Sequence, residues 1–258
     1  MFLKKEEPKS VFITGASSGL GAHLAIEYAQ KGRTLHLAGR NKDRLNQTAC
    51  LCRQKGSKVF TYIFDTTDEK ETTRAIQQAF KRIPLDLIIA NAGVSAGVIG
   101  MPENTEATRK IMQTNIFGTL NTVLPALELM RNRHRGHIAL IASLAGYRGM
   151  ASCPAYSASK SAVKAFGEAL YGQQKPRGIC VTTICPGFIE TPLTDKNRFY
   201  MPFLMKPEKA AHIIHTRLNK RPALIGFPKI MVFGAWLGSC LPSWIALPIF
   251  ARFPKKEK

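Results

Sequence analysis

Acidic side chains are scarce in this chain: 17 Asp and Glu stand against 37 Lys and Arg, a formal net charge of +20 over 258 residues. So basic a surface attracts nucleic acids, anionic lipids and phosphorylated ligands alike, and charge alone selects none of them. The marks of a nucleic-acid binder are missing. Bases fall in small clusters at Lys4-Lys5, Lys81-Arg82, Arg131 to Arg135, Lys220-Arg221 and Lys255-Lys256, with no aromatic-studded stripe and no zinc-finger spacing, so no nucleic-acid partner is expected. Six cysteines are present, without a pattern. Cys50 and Cys52 are separated by one residue, and Cys153, Cys180, Cys185 and Cys240 are scattered among apolar residues, which fits neither a redox pair nor a metal site. Cys180 and Cys185 read as small apolar groups in a buried strand, and the compartment implied is reducing and cytoplasmic. His212 and His215 stand three apart without a third ligand, so no metal is expected. Met1 to Pro8 lacks the long apolar core of a signal peptide. Repeats, low-complexity stretches and interdomain linkers are also absent.

Against that background the apolar residues are ordered. Runs at Ser10 to Thr14, Thr34 to Ala38, Lys58 to Phe64, Leu85 to Ala90, His137 to Ala142 and Ile179 to Cys185 read as buried strands, with a further one at Ala223 to Phe227. Between them Leu20 to Lys31, Lys42 to Lys55, Glu69 to Arg82, Thr105 to Arg133 and Ala155 to Lys175 carry helical spacing. The alternation predicts an α/β fold, a Rossmann-type doubly wound parallel sheet of about seven strands with helices on both faces.

The tail departs from this pattern, and the chain divides into residues 1–228 and an apolar, basic extension at 229–258. From Ile230 to Ala251 no charged residue occurs, while Lys229 precedes the run and Arg252, Lys255, Lys256 and Lys258 follow it. That length approaches the roughly 20 residues of a transmembrane helix. Gly234, Gly238, Pro242 and Pro248 interrupt it, however, and two short helices around Pro242 fit better. Two readings of them stand side by side: an interfacial element whose Trp236 and Trp244 dip into a bilayer while cations meet lipid headgroups, or a flap packed on the sheet or on another subunit.

Three motifs carry chemistry. Thr14-Gly15-Ala16-Ser17-Ser18-Gly19-Leu20-Gly21 follows the first strand, with glycines where a chain must turn tightly, approach a pyrophosphate and pack a helix close to a sheet. Gly39-Arg40-Asn41 ends the second strand; Arg40 cannot accept hydrogen bonds from ribose hydroxyls but can pair with a 2′-phosphate, which favours NADP(H) and leaves NAD(H) usable. An ordinary surface arginine is the alternative there. Tyr156 and Lys160 stand at i and i+4 of an expected helix and so share a face, where the ammonium would favour the phenolate and Ser143 could bind the same substrate oxygen.

Together these residues resemble the shorter, single-domain branch of the short-chain dehydrogenase/reductase family, from about Ser10 to about Phe227. The matching motifs are TGASSGLG at 14 to 21, Asp65 in FDTTD, ANAG at 90 to 93, Asn115, Ser143, YSASK at 156 to 160 and PGFIETPL at 186 to 193. The resemblance implies a nicotinamide site formed by Gly15, Ser17, Ser18, Gly19, Leu20 and Gly21 with Arg40 and Asn41. It puts Asp65 and Thr66 beside the adenine, and Asn91, Ala92 and Gly93 along the cleft. Pro186, Gly187, Ile189 and Thr191 would hold the nicotinamide end. Asn115, Ser143, Tyr156 and Lys160 match the catalytic tetrad, with Lys160 also binding the nicotinamide ribose and Asn115 holding a water that resupplies the proton. Ala90 stands where many members have a second Asn. Members are often dimers or tetramers, so a homo-oligomer is compatible.

The substrate end is read from Pro192 to Lys206, where Phe199, Tyr200, Met201, Phe203, Leu204 and Met205 suggest an apolar lid, and from the apolar Val94 to Met101. Both favour a greasy ketone or aldehyde, drawn from a membrane by a cytoplasmic protein peripheral to it. The rival expectations are an NADP(H)-binding regulatory protein without turnover, and a scaffold whose basic tail docks a partner.

Overall fold

The computed structural model describes residues 7–95, 103–195 and 200–251. The expectations placed on Lys4-Lys5, on Val98 and Met101, on Phe199 and on the basic residues from Arg252 onward lie outside these. Seven strands form one sheet: β1 (Ser10–Thr14), β2 (Thr34–Gly39), β3 (Lys58–Ile63), β4 (Leu87–Ala90), β5 (Gly136–Ile141), β6 (Ile179–Pro186) and β7 (Leu224–Phe227). Their spatial order is β3-β2-β1-β4-β5-β6-β7, every neighbouring pair parallel. The described helices are α1 (Gly19–Tyr28), α2 (Lys42–Gln54), α3 (Glu69–Arg82), α4 (Thr105–Met112), α5 (Gly118–Arg131), α6 (Pro154–Gln174), α7 (Pro207–Leu218), α8 (Lys229–Cys240) and α9 (Ser243–Ala251).

A sheet covered on both faces needs strands that are apolar on both sides, and β1, β4 and β5 are buried throughout. Alternate residues feed two cores. Val11, Ile13, Leu35, Leu37 and Ile89 pack with Leu24 of α1, Leu45 of α2 and Ile214 of α7, whereas Phe12, Ile88 and Leu140 pack with Ile76 of α3, Val123 of α5 and Val163 of α6. Each such side chain contributes about 1.5–3 kcal/mol by leaving water. The helix starts are fixed locally. Asn41 accepts a hydrogen bond from the Arg44 amide at 2.9 Å, Asp68 from Glu71 at 3.0 Å and Asn104 from Ala107 at 2.9 Å.

Most boundaries shift by a residue or a few from the sequence reading, and two of the differences have a visible cause. Leu85 is fully buried yet precedes β4, so burial pattern alone extends that strand too far. The helix expected over Thr105 to Arg133 is split by a π-helical turn at Gln113–Phe117, which carries Asn115. The cause is a tertiary bond: the Asn115 side chain accepts from the Val94 amide at 2.8 Å and donates to the Val94 carbonyl at 3.0 Å, while Thr119 Oγ1 donates to the Asn115 carbonyl at 2.7 Å.

Candidate active site

The chain reverses direction across the sheet between β1 and β4, and the crevice at the carboxyl ends of these strands is where a doubly wound sheet binds ligands. A cleft of about 930 Å³ opens there, near the upper end of the roughly 300–1,000 Å³ usual for small-molecule sites. All the site residues expected from the sequence border it except Asn115.

The glycines are required by geometry. Gly15 and Gly19 have φ of +68° and +52°, values that favour glycine. A Cβ on Gly21 would run into the Gly15 carbonyl, and one on Gly15 would stand 2.9 Å from Asn91 Nδ2. Asn91 is therefore a brace: its Nδ2 donates to the Thr14 carbonyl at 3.0 Å, while Thr14 Oγ1 accepts from the Asn91 and Ala92 amides at 3.1 and 3.2 Å. The Ser18 side chain does not cap α1, which leaves the first amides of that helix facing the cleft as an anion site. This cradle fits the pyrophosphate of a dinucleotide.

At the end of the cleft beside β2 Arg40 donates to Asp65 at 3.1 Å, and Arg44, which the sequence reading passed over, borders the same cleft. Burial acts to raise the Asp65 pKa, but hydrogen bonds from the Thr67 amide and hydroxyl and from Arg40 outweigh it and hold the carboxyl below its ordinary value. Asn41 faces the cleft while its side chain caps α2.

Ser143 follows β5 by two residues, caps a short 3₁₀ turn by accepting from the Ala145 amide at 3.1 Å, and lines the same cleft as the Tyr156 phenol. Tyr156 and Lys160 share a face of α6, with the ammonium 5.8 Å from the phenol ring centroid. The expected acidification of Tyr156 is corrected. Burial pushes its phenol up to about 12, against the smaller opposing influence of the Ser143 hydroxyl. Burial likewise lowers Lys160 to about 8, and its ammonium donates to the Ile141 carbonyl at 2.8 Å. Taken out of water together, the two groups are each driven toward their neutral form. Asn115 is wholly buried and its amide also donates to Ser159 Oγ at 2.9 Å, so both amide hydrogens are engaged. The water contact expected of Asn115 falls to whatever acceptor capacity its oxygens retain.

Glu103 was not foreseen. The N-terminus of α6 has no side-chain cap from Cys153, and the Glu103 carboxylate instead accepts from the Ala155 and Tyr156 amides at 2.9 and 3.2 Å. Fifty-two residues separate Glu103 from Ala155, and no local spacing could have linked them.

The lid expectation is also corrected. Tyr200 and Pro202 border the cleft, but Phe203 and Leu204 face solvent and Met205 packs on the core beside α7. The reason is a short backbone pairing, in which Glu190 N donates to the Met205 carbonyl at 2.9 Å and Met205 N to the Phe188 carbonyl at 3.0 Å. The remaining wall comes from the C-terminus: Met231, Ala235, Leu237, Leu241, Ile249 and Phe250 of the α8–α9 hairpin line the cleft together with Met150 and Cys153. Val232 presses on Gly226, where a Cβ would lie 2.7 Å from its Cγ2, and Arg148 donates to the Ser243 hydroxyl at 3.2 Å. No described helix is long and apolar enough to cross a membrane.

The profile described as short chain dehydrogenase matches residues 9–199, and the chain belongs to that family. It is an NAD(P)-dependent oxidoreductase. An "Uncharacterized oxidoreductase" of Myxococcus xanthus is 34% identical over 236 residues, covering 91% of this chain and 93% of the relative. Human "Epidermal retinol dehydrogenase 2" is 31% identical over 240 residues, 90% of this chain and 78% of the relative. Among solved structures, a short chain dehydrogenase from Mycobacterium paratuberculosis bound to NAD superposes with a TM-score of 0.75 at 25% identity, over 86% of this chain and 97% of that one. An actinorhodin polyketide ketoreductase crystallised with NADPH shares the fold, with a TM-score of 0.72 at 23% identity over 88% of this chain and 97% of that one.

Proposed function

We propose that this chain is an NADPH-dependent reductase of an apolar ketone or aldehyde, with the reverse oxidation using the same groups. The observation that carries the reading is the convergence of Ser143, Tyr156 and Lys160 on the same cleft as the glycine cradle, with the Lys160 ammonium 5.8 Å from the Tyr156 ring centroid. Arg40 and Arg44 at the adenosine end supply two guanidinium groups suited to a 2′-phosphate, which supports NADP(H) over NAD(H). When bound, the dihydronicotinamide supplies a hydride to the carbonyl carbon. The chain's own groups manage the oxygen. Ser143 donates a hydrogen bond to it, and Tyr156, neutral up to about pH 12, gives it a proton as negative charge develops. Lys160, protonated below about pH 8, keeps positive potential behind the phenol and favours that transfer.

The substrate class is supported by the walls, since Met150, Leu193, Met231, Leu237 and Ile249 offer apolar surface around a few polar groups. One relative's name, a retinol dehydrogenase, points to an apolar alcohol for that protein. Contact with a bilayer through residues 229–258, on its cytoplasmic side, belongs to the same reading.

The experiment is NADPH consumption by wild type and Tyr156→Phe across a panel of ketones and aldehydes. Loss of the acid should lower turnover by about 10²–10⁴. Equal consumption by the two proteins would remove the assignment.

A further inference from the structure

The outward face of the α8–α9 hairpin leaves large apolar side chains uncovered. Ile230, Phe233 and Leu237 recur at helical spacing on α8, Phe233 and Trp236 lie with ring centroids 6.0 Å apart, and Trp244 on α9 is 77% exposed. Single exposed apolar residues are ordinary, but a continuous face is a surface that binds something. No acidic residue occurs from Lys229 to Ala251, and the sequence runs on into Arg252, Lys255 and Lys256. Leu237 and Ile249 have a second property: both are exposed and both border the cleft. The outer apolar face and the cleft wall thus meet in the same side chains.

Resting on the reductase reading, we propose that the hairpin lies in the headgroup layer of an anionic bilayer, and that a lipid-dissolved carbonyl compound enters the cleft sideways past Leu237 and Ile249. A lipid surface suits this face better than a second copy of the chain. Two copies meeting here would each bring a net charge of +20 and the lysine at the start of α8 to the contact, whereas anionic headgroups complement both. A second protein would also cover the passage, while fluid acyl chains leave it open to solutes of their own kind. Indole rings, apolar with one N–H donor, suit the boundary between headgroups and acyl chains.

Trp236 and Trp244 are the only two tryptophans in the chain, so its indole fluorescence reports on this hairpin alone. The test titrates the full chain with vesicles of phosphatidylserine and phosphatidylcholine carrying brominated acyl chains, alongside an Ile230→Glu, Phe233→Glu double variant whose altered side chains lie outside the cleft lining. Wild-type fluorescence should be quenched, less so in high salt or on phosphatidylcholine alone, and the variant should bind at least tenfold more weakly. Turnover of a long-chain aldehyde carried in the vesicles should fall with binding, while a short water-soluble aldehyde is reduced equally by both proteins. Unquenched wild type at saturating lipid overturns the proposal. So does equal turnover of the vesicle-borne aldehyde, or light scattering that shows a lipid-free wild-type dimer and a monomeric variant. Quenching without turnover of either aldehyde would overturn the substrate passage together with the reductase reading, and leave the docking supported.

Discussion

Arg40 and Lys160 each allow the proposed chemistry to be tested at a single side chain. Arg40 is half exposed and already paired with Asp65 at 3.1 Å, so its guanidinium is held at the rim of the cleft. Arg40→Asp would remove the phosphate partner and put a second carboxylate beside Asp65. A charge-assisted bond is worth about 1.5–3 kcal/mol, so the preference for NADPH over NADH should fall by roughly ten- to a hundredfold. An unchanged ratio of kcat/KM for the two cofactors would pass the selection to Arg44 or elsewhere. Lys160 is a buried cation that burial holds at about 8, below its ordinary 10.5. Between those values the unfolded chain keeps a proton that the folded chain has released, so stability rises with pH across that window. Below pH 8 the folded chain bears the desolvation of the charge. Lys160→Met should therefore abolish carbonyl reduction yet raise Tm, by about 2–4 °C for each kcal/mol of desolvation relieved. A lowered Tm in thermal melts would mean that the bond to the Ile141 carbonyl outweighs that cost.

Among the elements, α6 carries Tyr156 and Lys160 but borrows its cap from a distant loop. Glu103→Ala should cost about 0.5–2 kcal/mol through the lost cap, and because the Tyr156 amide is one of its two donors, kcat should drop while KM for NADPH holds. Glu103→Gln, which keeps an acceptor, should restore part of both. Identical melts and kinetics for wild type and Glu103→Ala would exclude this positioning role. The same region shows what a sequence can and cannot display. Strands buried on both faces are continuous apolar runs, so the βαβ order was legible, and so were the glycine loop and the Tyr156–Lys160 pair, whose spacing is local. The π-helical turn was not, because it depends on Asn115 bonding Val94 across 21 residues. Glu103 and the Thr14–Asn91 brace were hidden for the same reason, since composition near them is ordinary and their partners come from other strands and helices. Nor could the motif alone reveal that burial drives the Tyr156 phenol up and the Lys160 ammonium down.

For the whole molecule, two histidines are locked neutral in the interior. Burial lowers His137 to about 3 and His36 to about 4, with Arg221 and Arg82 acting in the same direction. His137 Nε2 lies 2.8 Å from Thr182 Oγ1, and the His36 ring stacks on Phe60 with centroids 5.3 Å apart. The unfolded chain takes up protons near pH 6.5 that the folded chain refuses, so stability should be complete above that value and decline as pH falls toward 4. Thermal melts between pH 4 and 8 should show this slope, and His36→Phe should flatten it; a slope the mutation leaves intact would assign acid sensitivity to other groups. The C-terminal hairpin has a consequence at this scale as well. Because Met231, Leu241 and Phe250 form one side of the reaction chamber, shortening the chain at the end of β7 to obtain a tidier nucleotide-binding core would breach that chamber. On the proposed reading bulk water would then reach the substrate carbon, and a trimmed protein should still hold its dinucleotide while no longer sheltering the hydride transfer.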